Sequence, residues 1–157
     1  MILGLQIRQA TKEDAKLVQT ITLDAFKRYV KKSGISQPIA AQTETIDDIA
    51  NDIENGIVLV ATMYGSPAGS IRLADEPEGV TRVFRFGVSS EFRKIGVGHE
   101  LMKKVDEIMQ TRKLKSAYLF TALRNVRLIH FYRRHGFFLS SVDGSADYPR
   151  AKLIKNY

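Results

Sequence analysis

The chain reads as an α/β protein, a mixed β-sheet with helices on its faces, in the order β-α-α-β-β-β-α-β-α-β-β. Three observations predict this. Several short segments alternate apolar and polar residues, or run β-branched throughout, as strands do. Others repeat apolar residues at helical spacing. Glycine, proline or an acidic turn marks most changes between the two.

The elements follow in order. Residues 5–10 alternate like a half-buried strand. Thr11 then offers an N-cap with Asp14 three residues on, and Leu17, Ile21, Ala25 and Phe26 follow at helical spacing until Ser33-Gly34 closes the helix near Lys32. After the break at Gln37-Pro38, a shorter helix is predicted from about Thr43 to Asn55, stopped by Gly56. Residues 57–61 form a β-branched run, hence a buried strand. Gly65-Ser66-Pro67 turns the chain into a strand over 68–74, and the acidic turn 75–79 leads to another over 80–88. Val97, Leu101, Val105 and Ile108 mark one face of an amphipathic helix. A strand over 116–122, a helix over 125–135 closed by Gly136, a strand over 137–142 and a last one over 151–155 complete the pattern.

A length of 157 residues suits a single domain spanning 1–157 with a real core. No apolar run approaches the ~20 residues that span a bilayer, and residues 1–5 are too short and lack the basic flank of a signal peptide. The expectation is therefore a cytoplasmic protein without a membrane partner. The cysteine count of zero removes disulfides, a thiolate nucleophile and Cys-based zinc sites. His99, His130 and His135 show no H-E-x-x-H spacing, so no metal is expected. A net charge of +7 points to an anionic partner. The cations are scattered, among them Arg28, Lys32, Arg127 and Arg134, and for most a solvated basic surface is the preferred reading.

The most informative segment runs from Phe86 to Leu101. It is a strand, a turn, and then Gly96 and Gly98 at the opening of a helix. The first N–H groups of a helix lack intrahelical partners and carry the positive end of its dipole. The glycines remove side chains that would hold a phosphate away, and Arg93 and Lys94 add charge beside them. A nucleoside-triphosphatase loop is excluded because no Lys-Ser or Lys-Thr follows these glycines. The dinucleotide pattern fails at its third glycine, where Leu101 stands.

Arg93-x-x-Gly96-x-Gly98, between a strand ending at Val88 and a helix containing Leu101, resembles the acyl-CoA signature of the GNAT superfamily of N-acyltransferases. A second match lies downstream, where Asn125, Phe131-Tyr132 and Gly136-Phe137 are similar to that family's second conserved segment. The resemblance implies acetyl-CoA as acyl donor and an amine as acceptor. It places the cofactor against Phe86, Val88, Arg93, Lys94, Ile95, Gly96, Val97, Gly98, His99 and Asn125. It also implies that the strand ending at Val88 diverges from the next, admitting the pantetheine arm beside Phe120 and Thr121. Tyr132 is implied as the general acid that assists the departing thiolate. Two departures stand out: Ser90 where many members have proline, and Leu128 where a small residue is common.

No spacing rule selects a general base among Asp75, Glu76, Glu91 and His99. The acceptor pocket is expected near residues 26–45 and 142–150, with Tyr29, Arg72, Asp143, Asp147 and Tyr148 as candidates to line it. Two other classes were weighed. One is a non-catalytic acyl-CoA-binding or sensor domain, in which Tyr132 only packs. The other is a basic nucleic-acid-binding domain, for which the sequence shows no helix-turn-helix, zinc-finger or RNP pattern, so no nucleic-acid partner is expected. The sequence leaves the acceptor, the acyl-chain preference and the oligomeric state open, a homodimer included.

Overall fold

The computed structural model describes residues 2–144 and 147–157. The strands are β1 (Leu5–Gln9), β2 (Ile57–Met63), β3 (Ser66–Glu76), β4 (Val80–Val88), β5 (Ser116–Ala122), β6 (Phe138–Asp143) and β7 (Arg150–Asn156). The helices are α1 (Ala15–Lys32), α2 (Ala40–Thr43), α3 (Ile46–Asn55), α4 (Val97–Thr111) and α5 (Val126–Arg134). The seven strands form one sheet in the order β1-β2-β3-β4-β5-β7-β6, antiparallel except where β4 meets β5. Among the described residues no helix is long and apolar enough to cross a membrane.

The predicted order holds with one addition, the single turn α2. The helix expected from about Thr43 begins only at Ile46, because Thr45 caps it. Its hydroxyl accepts from the Asp48 amide (3.1 Å), and the Asp48 carboxylate accepts from the Thr45 amide (2.9 Å). Glu44, left between the two helices, takes extended dihedrals (φ −63°, ψ 146°). At the first helix the Asp14 carboxylate accepts from the Thr11 amide (2.8 Å), and a short 3-10 turn over Lys12–Asp14 leads into α1.

Strand alternation divides the apolar residues between two faces. Val58 and Val60 pack with Ala10, Val18, Ile21, Ile49 and Ile53 under α1 and α3. Leu59, Ala61, Ile71 and Leu73 meet Leu101, Val105 and Met109 of α4 on the other face. That second cluster extends across β5 and β7 to Tyr132 and Phe137. At two points helix and sheet approach closely enough to require glycine. A Cβ on Gly87 would lie 2.5 Å from the Ala25 Cβ of α1, and one on Gly69 would lie 3.0 Å from Leu101 of α4.

One charged group lies inside the sheet–helix interface. Arg72 on β3 is fully buried (0% exposed), bonded to Glu44 at 2.7 and 2.9 Å, to Asp52 at 2.9 Å and to the Thr22 hydroxyl at 3.1 Å. It ties α1, the α2 end and α3 to the sheet. This corrects its placing in an acceptor pocket, because its charge is spent on interior carboxylates.

Candidate functional site

The site grows out of two irregularities in β4. The register of β3 against β4 changes between Ser70 and Arg72: Ser70 faces Gly87, while Arg72 faces Phe84. Arg85 and Phe86 thus oppose the single residue Ile71, a β-bulge, and Arg85 sits at φ +51°. On its other side β4 pairs with β5 only at Val80–Ser116, Thr81–Ala117 and Arg82–Tyr118. Beyond Arg82 the two strands part, leaving a cleft. A cavity of about 340 Å³ occupies it, and a second of about 390 Å³ lies beside it against β4, α1 and α5, with Tyr29, Phe86 and Leu128 in both walls.

The 390 Å³ cavity runs toward the start of α4. The loop before that helix holds Lys94 at φ +63° and Gly96 at φ +101°, a left-handed pair that turns the chain into α4. Phe86, Val88, Asn125 and the segment Gly96–His99 line it. Arg93 and Lys94 stand at its edge, and Arg28, Lys32, Arg127 and Arg134 complete a ring of six cations. Repulsion from Arg93 is the largest influence holding the Lys32 ammonium below its ordinary pKa. Arg28 is lowered by burial first and by Arg93 next, although it donates to the Val88 carbonyl (3.0 Å) and the Ser90 hydroxyl (3.1 Å). Such a cluster is relieved by a polyanion.

Nine of the ten residues expected around the cofactor line this cavity. Ile95 does not; its side chain is half exposed, outside the wall. The two glycines differ in role. A Cβ on Gly96 would meet only Ile2 at 3.3 Å, so that position is set by its dihedral. A Cβ on Gly98 would lie 2.9 Å from the Phe86 ring and 3.4 Å from Phe131, so that position serves close packing as well. Asn125 is the N-cap of α5, accepting from the Leu128 amide at 3.3 Å, and its amide donates to the Ser33 hydroxyl at 3.4 Å. His99 lies 3.3 Å from the ring of His135. Arg28 and Lys32, four apart on α1, and Arg127 and Arg134, seven apart on α5, were read as solvated surface in the sequence. Their helical spacing was the available signal.

Tyr132 is buried (5% exposed) in the wall of the 340 Å³ cavity. Its ring meets Phe86, Phe131 and Phe137 at 5.6–6.0 Å in edge arrangements, while Phe86 and Phe131 stack at 5.2 Å. Among the described residues no protein group is hydrogen-bonded to its hydroxyl. Burial, and secondarily Tyr29, hold the phenol above its ordinary pKa, so it keeps its proton. Tyr29 opposite accepts from the Ala122 amide (2.8 Å) and shares a hydrogen bond with Tyr148 (3.3 Å). Tyr29, Asp147 and Tyr148 line the cavity as expected. Asp143 does not, being paired with Arg150 at 2.8 Å. Ser145 and Ala146, within the stretch expected to shape the pocket, lie outside the described residues. None of Asp75, Glu76, Glu91 and His99 lines it. Asp75 pairs with Arg112 at 2.7 Å, and Glu76 accepts from the Tyr118 hydroxyl. Leu128, the bulky departure, stands in the wall common to both cavities.

A parted pair of strands, with a cationic helix start at one end and a protonated phenol near the junction, is the arrangement that the sequence resemblance implies for an acyl-CoA-dependent N-acyltransferase. Comparisons with known proteins agree. The family model for the acetyltransferase (GNAT) family matches residues 22–137, and the chain belongs to that family. Its fold is similar to that of the PaiA N-acetyltransferase from Thermoplasma acidophilum, solved in complex with coenzyme A (TM-score 0.86, 19% identity, 99% of this chain and 100% of that one). An acetyltransferase from Streptococcus agalactiae gives 0.80 at 18% identity over 99% and 100% of the two chains. The ribosomal-protein-S18-alanine N-acetyltransferase from Escherichia coli gives 0.77 at 14% identity over 97% and 93%. A search of curated proteins returned no match.

Proposed function

We propose that the enzyme transfers the acetyl group of acetyl-CoA to the primary amine of a small molecule or protein by direct attack, with no covalent acyl-enzyme. The observation that carries this reading is that the two cavities share Phe86, Leu128 and Tyr29 in their walls, so that the cationic pocket lies directly beside a second chamber walled by Tyr132. Residues 1–157 are read as one such domain.

The residues present suit the cofactor. The amides of Gly96, Val97, Gly98 and His99 face a helix start without intrahelical acceptors, and Arg93, Lys94 and Arg28 offer charge to a pyrophosphate. Main-chain groups of β4 beyond Arg82 are free of β5 and offer hydrogen bonds to an extended pantetheine arm. When bound, the cofactor supplies an activated thioester carbonyl. The second chamber holds the amine against it, so that attack becomes effectively intramolecular. Tyr132 donates its hydroxyl proton, or a strong hydrogen bond, to the thiolate as the C–S bond breaks. The proton lost by the attacking nitrogen passes through solvent to restore the phenol or complete the thiol. With no cysteine in the chain, no thiol is available to take the acyl group first.

Two measurements test the reading. Calorimetric titration with acetyl-CoA should show binding that weakens with added salt. A panel of amines with acetyl-CoA should release free thiol in proportion to acetylated product. Binding without thiol release from any amine would make the chain a sensor, and absence of binding at millimolar acetyl-CoA would remove the cofactor site itself.

A further inference from the structure

The 340 Å³ chamber is far from neutral in its hydrogen-bonding character. Among the described residues three arginines line it, Arg82, Arg85 and Arg150, against one carboxylate residue, Asp147. Each has unspent donors. Arg82 lies 4.5 Å over the Phe84 ring, and among the described residues no carboxylate comes within salt-bridge distance of it. Arg85 reaches Glu44 through Nε alone, at 3.4 Å, and Glu44 already holds Arg72 at 2.7 Å. Both terminal nitrogens of Arg85 therefore remain to be used. Arg150 commits one terminal nitrogen to Asp143 at 2.8 Å, and its Nε is buried with no partner among the described residues. Its guanidinium stands 4.4 Å from the Phe120 ring centre.

Phe84 and Phe120 stand on β4 and β5 near the point where the strands part, so each carries an arginine to the mouth of the same cleft. Stacking leaves the in-plane N–H groups of a guanidinium pointing outward, a geometry suited to two-pronged contact with a carboxylate or phosphate. The cost of this arrangement is visible at Arg85, whose pKa is lowered, chiefly by burial, despite the Glu44 contact. A partly desolvated cation with free donors in a substrate chamber is a group kept for a ligand.

We propose that the acceptor is a small amine bearing an anionic group, carboxylate or phosphate, which Arg85, Arg82 and Arg150 receive while its amine meets the thioester near Tyr132. This rests on the transferase reading above and narrows its acceptor to one charge type. A polycation fits poorly, because it would bring like charge onto three guanidiniums with Asp147 alone, among the described residues of the wall, to offset it.

The test compares matched acceptors differing only in the anion. The carboxylate arm sets amino acids against their carboxamides. The phosphate arm sets O-phosphoethanolamine against ethanolamine, and 1,4-diaminobutane represents polycations. Two readouts are taken: kcat/KM from thiol release with acetyl-CoA, and binding of the same amines to the CoA-loaded protein by calorimetry. The expected result is an advantage of about 10-fold or more for the anionic member of at least one pair, as for a charge-assisted bond of ~1.5 kcal/mol. Arg85→Gln should cut that ratio about 10-fold. Arg82→Gln, at an exposed position outside the buried network, should cut it several-fold and guards against misfolding of the first variant. Selective anion binding without turnover would uphold the anion site and sink the transferase reading. Equal or better use and binding of the uncharged amines or the diamine by a turning-over enzyme would overturn the proposal and leave the transferase reading standing.

Discussion

Replacing Tyr132 by phenylalanine removes one oxygen and keeps the ring. The structure predicts opposite outcomes for stability and rate. The hydroxyl is almost buried and no protein group among the described residues is bonded to it, so folding loses no hydrogen bond when it goes. An unpartnered buried hydroxyl costs about 1–3 kcal/mol, and contact with the cavity reduces this, so the variant should be unchanged or more stable by up to ~1 kcal/mol. For a chain of this size that means a rise in Tm of no more than about 2–4 °C. For turnover, a hydrogen bond to a developing thiolate is worth ~1.5–3 kcal/mol, a loss in kcat of about 10–150-fold. The assay is single-turnover thiol release with saturating acetyl-CoA beside scanning calorimetry of the same samples. Because the phenol is held above its ordinary pKa of 10.0, the wild-type rate should show no alkaline loss from this group below that pH. A kcat within twofold of wild type, with chemistry rate-limiting, would refute the general-acid role. A fall in Tm beyond about 4 °C would show instead that the hydroxyl supports the fold.

Three further outcomes follow from other contacts. Arg72→Met should leave Glu44 with its 3.4 Å contact to Arg85 alone and Asp52 unpaired, and lower stability by about 3 kcal/mol, roughly 6–12 °C in Tm; a calorimetric change under ~3 °C would contradict the network. Gly98→Ala should cost about 1–3 kcal/mol by pushing on the Phe86 ring, whereas Gly96→Ala should cost ~1–2 kcal/mol through its left-handed backbone, and weakened acetyl-CoA binding without loss of Tm would show that contact with the ligand governs both. Burial first, and His99 second, lower the pKa of His135. The unfolded chain then binds the proton more readily, so this group's contribution to stability is full above its ordinary pKa of 6.5 and is lost as pH falls through the lower folded value. Asp14, depressed to about 2 by Arg8, acts only in the range below 3.8, so the slope of Tm between about pH 6.5 and 5 should flatten in His135→Gln.

The sequence was most legible where one element's pattern decides its own structure. The strand over Ser116–Ala122 has the bounds expected of it, and the helix face of Val97, Leu101 and Val105 is the buried one. Legibility fell where the outcome depends on which faces meet. Arg28, Lys32, Arg127 and Arg134 are far apart in the chain, and only the packing of α1 and α5 beside the cleft gathers them. Arg72 was mistaken for a pocket residue because its neutralising partners, Glu44 and Asp52, lie 28 and 20 residues away. The left-handed backbone at Arg85 has no sequence signal, since arginine is not a residue that favours it. The parting of β4 from β5 was implied by family resemblance and by nothing in the local pattern.

The β4 bulge explains why these features occur together. A regular strand would place residues 84 and 86 on one face, and Phe86 would then stand opposite Ser70 under α1, where even a Cβ falls 2.5 Å from Ala25. The extra residue moves Gly87 into that position instead. Phe86 is thereby released to stack on Phe131 beside Gly98, and Arg85 to reach Glu44 at the wall of the second chamber. One additional residue in β4 therefore serves the close approach of α1, the aromatic wall between the cavities, and the guanidinium of Arg85 at the second chamber. Helix packing and the walls of both cavities thus follow from a single register change, the bulge at which Arg85 and Phe86 oppose Ile71.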